Sequence, residues 1–91
     1  MKIDFSQPIL DLDDAETGLT LGSAAIQAMM TPMRDDENMQ ASEKVRLFEL
    51  SLKIKGNSKI DLPVEDVAFV KARIGKVFAP LVVGRAHAML G

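Results

Sequence analysis

Four prolines, Pro8, Pro32, Pro63 and Pro80, divide a 91-residue chain so that no single helix can dominate it. Proline lacks the amide hydrogen and disfavours helix in the residue before it, so each one marks a boundary. Pro8 lies in Met1–Leu10, where Ile3 and Phe5 alternate with Lys2 and Asp4, a pattern for a short edge strand or an extended arm. Asp11–Gly18 is a polar turn region that completes an arm and turn over 1–18. Thr20 caps a first helix over 20–31, and Pro32 ends it. Met33–Ala41 is an acidic loop. Ser42 caps a second helix over 42–55, which Gly56 and Asn57 close. Asp61, Leu62 and Pro63 introduce a third over 63–78, and Pro80 forces a break and starts a fourth over 80–90. The expectation is a mainly α fold: one small domain over 1–91, with about four helices and a short N-terminal extended arm or strand.

A domain of this size buries only about 60–65 % of the surface its unfolded chain exposes. Yet 47 % of the residues are apolar, mostly aliphatic, and the four aromatics are all Phe. That is more apolar surface than one small core readily hides, so self-association is expected. The absence of cysteine excludes disulfides and cysteine-ligated metals. No charged leader precedes an apolar stretch and no apolar run approaches about 18 residues, so a cytoplasmic protein off the membrane is expected.

The net charge of −2 is unevenly distributed. Residues 1–43 carry nine acids and two bases, whereas residues 44–91 carry four acids and nine bases. Either the acidic half folds onto a basic half, its own or a neighbour's, or the basic half presents a surface to an anion.

The second helix carries two apolar stripes at about 100° per residue. Val45, Phe48 and Leu52 line one side and suit the core. Leu47, Leu50 and Ile54 line the opposite side and must meet another helix or another subunit. Arg46 and Lys53 lie on one flank between them, Lys44 and Lys55 on the other. The third helix has one broad apolar face, Val64, Val67, Val70, Ile74, Val77 and Phe78, with Lys71 inside it as a cation that must snorkel or pair. Phe69 falls on the polar side near Arg73 and Lys76, where it either covers a loop or acts as a contact hot spot. The fourth helix is apolar nearly all round, and Gly84 and Ala88 would let another backbone approach.

Catalytic chemistry has little to draw on. The single His87 has no acid within a helical turn. The Asp11–Glu16 cluster fails the calcium-loop template, because positions six and twelve hold Glu16 and Gly22. The Asp35-Asp36-Glu37 run reads as a solvated loop, and Leu19-Thr20-Leu21-Gly22 lacks the glycines and lysine of a phosphate loop. No catalytic residue, metal or cofactor is expected.

Several segments taken together resemble small proteins encoded by temperate bacteriophages and prophages. They are the opening Lys2–Leu12, Leu19-Thr20-Leu21-Gly22, the Ser42-capped helix ending in Leu52-Lys53-Ile54, Asp61-Leu62 before Glu65-Asp66, Ile74-Gly75-Lys76, and Pro80-Leu81-Val82-Val83-Gly84. The resemblance implies a protein made in the bacterial host cytoplasm and carries no assigned activity. The expected function is non-enzymatic binding of a host or phage protein by a homo-oligomer, in defence evasion or particle assembly. Leu47, Leu50, Ile54, Val83 and Gly84 are the expected oligomer interface. The alternative is a binder of nucleotides or nucleic acid through Lys44, Arg46, Lys53, Phe69, Arg73 and Lys76.

Overall fold

The computed structural model describes every residue except Asn57, and every side chain except those of Asn57 and Asp35. The expected role of Asn57 in closing a helix therefore lies outside the described residues. The chain is mainly helical but not purely so. The helices are α1 (Leu21–Met30), α2 (Ala41–Gly56), α3 (Val64–Val77) and α4 (Pro80–Leu90), with a 3-10 helix at Arg34–Asn38. The strands are β1 (Lys2–Asp4), β2 (Pro8–Leu10), β3 (Glu16–Thr20) and β4 (Lys59–Asp61). Each strand belongs to a two-stranded antiparallel sheet, β1 with β4 and β2 with β3.

The opening segment is thus a pair of strands with two different partners. β1 sets Lys2 opposite Asp61, Ile3 opposite Ile60 and Asp4 opposite Lys59. Both end pairs join opposite charges, the cross-strand match that fixes register. β2 turns back onto β3, so the polar turn expected to reach Gly18 becomes strand from Glu16 onward. The turn between them is built by Asp11, whose carboxylate accepts from the amides of Asp13 and Ala15 at 2.8 and 3.0 Å. Asp14 takes a positive φ of 61°, which a short polar side chain tolerates.

α1 is the centre of the fold and lies against α2, α3 and α4. Leu21, Ala24, Ala25, Ala28 and Met29 are all buried, and the run of alanines lets the neighbouring helices approach closely. Thr20 caps it as expected: its hydroxyl accepts from the Ser23 amide, and the Ser23 hydroxyl accepts from the Thr20 amide in return. Ser42 does not cap α2. That helix begins a residue earlier, and the Gln40 carbonyl accepts from the amides of Glu43 and Lys44. The core joins Ile3, Phe5 and Ile9 of the N-terminal segment to Leu62, Val67, Val70 and Ile74, with Ala86 and Leu90 of α4.

The turn between β1 and β2 holds α1 at its first turn. The Gly22 amide donates to the Phe5 carbonyl at 2.8 Å, and the Leu21 amide to the Gln7 carbonyl at 2.8 Å. A Cβ at Gly22 would stand 3.0 Å from that Phe5 oxygen and 3.3 Å from the Phe5 Cβ. Alanine is worth about 1 kcal/mol more than glycine inside a helix, but overpacking against fixed backbone costs about 1–3 kcal/mol. Gly22→Ala should therefore lower the melting temperature by several degrees, measured by circular dichroism; an unchanged or raised value would show that the strands can move aside.

Candidate functional site

α2 presents its stripes the opposite way round from the sequence expectation. Leu47, Leu50 and Ile54 are buried against α1, whereas Val45, Phe48 and Leu52 are 52, 54 and 55 % exposed. The assignment of Leu47, Leu50 and Ile54 to an oligomer interface is therefore corrected: they belong to the chain's own core. Ser51 shares their face, which looks unfavourable in sequence, but its hydroxyl donates to the Leu47 carbonyl one turn back at 2.8 Å. That bond lets the wider stripe, serine included, face inward. The stripe left outside is narrow and continuous along the helix, with exposed Ala41 at its start. A narrow apolar seam spaced four-three-four is a signal present in the sequence; core-facing stripes are wider.

The cations expected to form one basic surface are separated by the fold. Arg73 is corrected outright: it is 5 % exposed and fully engaged. Its Nε donates to the Ala28 carbonyl at 2.7 Å and one Nη to the Thr31 carbonyl at 2.6 Å. Both Nη groups then grip Asp36 in a bidentate pair at 2.7 and 2.6 Å. The acidic segment beyond Pro32 does not run free as a loop: it folds as a 3-10 helix that delivers Asp36 to this guanidinium. Of the acidic run, Asp36 is thus structural, and the Asp35 side chain lies outside the described residues.

Arg46 crosses from α2 to α3. It bonds Asp66 at 2.7 Å and lies 4.2 Å from the centre of the Phe69 ring. Phe69 is half-buried, packed against the core beneath that guanidinium, so covering and cation stacking are what its position shows. Lys44, Lys53 and Lys76 are exposed, and Lys44 lies on the rim of a methionine-lined groove. Met29, Met30, Met33 and Met39 line this open groove of about 400 Å³, with Arg73 and Asp36 also on its wall.

α4 is half-buried. Ala86 and Leu90 are inside, Val83 packs partly against the core, and Gly84 and Ala88 face outward, with nothing within 4 Å of where a Gly84 Cβ would stand. His87 Nε2 donates to the Lys71 carbonyl at 2.9 Å, and Lys71 Nζ donates to the Gly91 carbonyl at 2.9 Å. The expected snorkelling of Lys71 thus ends on a backbone oxygen. Arg85 reaches back to the acidic turn, donating to the Asp11 carbonyl at 2.6 Å and the Asp14 carboxylate at 3.0 Å. Among the described residues, no three His, Cys, Asp or Glu side chains gather in a metal-binding group.

The fold and this surface define a small, mainly helical domain with an apolar seam on the outside of one helix. No model of a known protein family matches the chain, and neither a curated protein nor a solved structure does. No helix among the described residues is long and apolar enough to cross a membrane.

The bidentate pair makes a pH prediction. The Asp36 carboxyl is held down to about 2, first by the hydrogen bonds from Arg73 and then by the Met33 amide. In the unfolded chain it titrates near about 4, so the unfolded state binds a proton first as the medium is acidified. The stabilisation is complete above about pH 4 and is lost as the pH falls through about 2. Asp36→Asn should lower stability at neutral pH and flatten its decline between pH 4 and 2, followed by thermal melts. A variant profile as steep as wild type would show that other carboxylates govern acid unfolding.

Proposed function

We propose that this protein works by binding another protein, without catalysis, and that the binding face is the Val45–Phe48–Leu52 seam of α2. The observation that carries the reading is the exposure of three large apolar side chains on one side of a helix whose opposite side already fills the core. Scattered exposed apolar residues are ordinary on any surface; a continuous line of them along one helix is the mark of a contact. An amphipathic helix face of this kind is read by a partner helix or groove through anchors at i, i+3 and i+7.

In the setting implied by the resemblance to temperate-phage proteins, the partner is a host protein or a phage protein, further copies of this chain among them, met in the bacterial cytoplasm during defence evasion or particle assembly. The reading as an anion binder has lost its guanidinium groups to internal bonds: Arg73 to Asp36, Arg46 to Asp66 and Phe69. The lysines of that set lie on two elements, Lys44 and Lys53 on α2 and Lys76 on α3.

Phe48→Glu tests the proposal because it alters the seam and leaves the core untouched. The variant should melt within about 5 °C of wild type, as expected for a half-exposed position. Its affinity for the protein partner, recovered by photo-crosslinking from position 45 or 52, should fall about thirtyfold or more. Equal binding by the folded variant would overturn the assignment of this face.

A further inference from the structure

We infer that the partner fitted by the α2 seam is a second copy of this chain, packed with its α2 parallel to the first. The inference rests on the reading of that face as a binding surface. Ala41, Val45, Phe48 and Leu52 follow one another at intervals of four, three and four. This is the alternation of a and d positions in a two-stranded coiled coil, with Val45 and Leu52 at a and Ala41 and Phe48 at d.

The flanks decide the partner and its direction. In this frame Lys44 is a g position and Glu49 the e position five residues later. Both are exposed, and neither has an ion-pair partner among the described residues. In a parallel pair, g of one helix faces the following e of the other, so Lys44 meets Glu49 of the second copy, twice by symmetry. In an antiparallel pair each flank would meet itself, lysine against lysine and glutamate against glutamate. A second copy therefore supplies both the spacing and the opposite signs that this face requires. Arg46 and Lys53 fall at b positions, outside the contact. Lys55 occupies the next d position, one residue before α2 ends at Gly56, so the seam closes at Leu52. It is about 16 Å long at 1.5 Å per residue, a contact at the small end of specific interfaces.

The test is sedimentation velocity on the whole chain across micromolar concentrations, with light scattering for mass. Wild type should pass from 9.9 kDa to twice that mass as concentration rises. Phe48→Glu should remain monomeric while keeping the wild-type circular dichroism spectrum. Lys44→Glu and Glu49→Lys should each weaken the dimer about three- to tenfold, and an equimolar mixture of the two should recover wild-type strength, because every cross-chain contact again joins opposite charges. Single charge variants that dimerise as wild type does, with a mixture tighter than wild type, would establish the antiparallel arrangement and overturn the parallel one. A wild type that stays monomeric throughout would overturn the second copy as occupant. The binding-face reading would survive that result if Phe48→Glu still abolished binding of a different protein, and would fall with it if the substitution changed neither.

Discussion

One guanidinium ties together the segments on which the rest of the molecule is arranged. Arg73, on α3, donates to two carbonyls at the C-terminal end of α1 and clasps Asp36 of the 3-10 helix. The carbonyls at a helix end have no partners within the helix and carry its negative dipole, so a cation there is doubly favourable. Pro32 stops α1, and the chain then folds back over the arginine to supply the counter-charge. Removing either member would leave the other buried or half-buried without its partner, a strongly destabilising change.

A second set of polar ties fastens the periphery. Arg85 holds the Asp11–Asp14 turn, Arg46 holds Asp66, and β1 and β4 pair opposite charges at both ends. The uneven charge of the two halves of the sequence is in part an intramolecular match: Asp36 and Asp14 from the acidic half meet Arg73 and Arg85 from the basic half. The surface left over is distinguished less by charge than by apolar side chains on α2, flanked by Lys44 and Glu49, which have no ion-pair partner among the described residues.

The helices were legible because their boundaries are written in residues with backbone consequences: Thr20 as a cap, Pro32 as a stop, and Pro80 as a first residue that needs no amide partner. The strands were harder to read. β1 and β4 are three residues each and lie more than fifty residues apart, so their pairing leaves no local periodicity. Sequence alone does not orient α2, because both stripes contain three large apolar residues. What separates them is Ser51, whose burial depends on a bond to its own helix that no pattern of hydrophobicity records. Arg73 was placed on a polar face for a similar reason: only the folded loop brings Asp36 within reach. The candidate site was therefore legible as a helix with one stripe too many, and the fold was needed to say which stripe remained outside.

Everything said of the α2 surface depends on Val45, Phe48 and Leu52 facing outward while Leu47, Leu50 and Ile54 face in. The chain contains no cysteine, so single cysteines report on it without background. Phe48→Cys and Leu50→Cys, made separately and labelled with a thiol reagent at sub-micromolar concentration, test the claim most directly. The thiol at position 48 should react at close to the rate of a free thiol. The thiol at position 50 should be protected at least tenfold, on the order expected when reaction must wait for opening of the fold. Fast labelling at position 50 with protection at position 48 would contradict it.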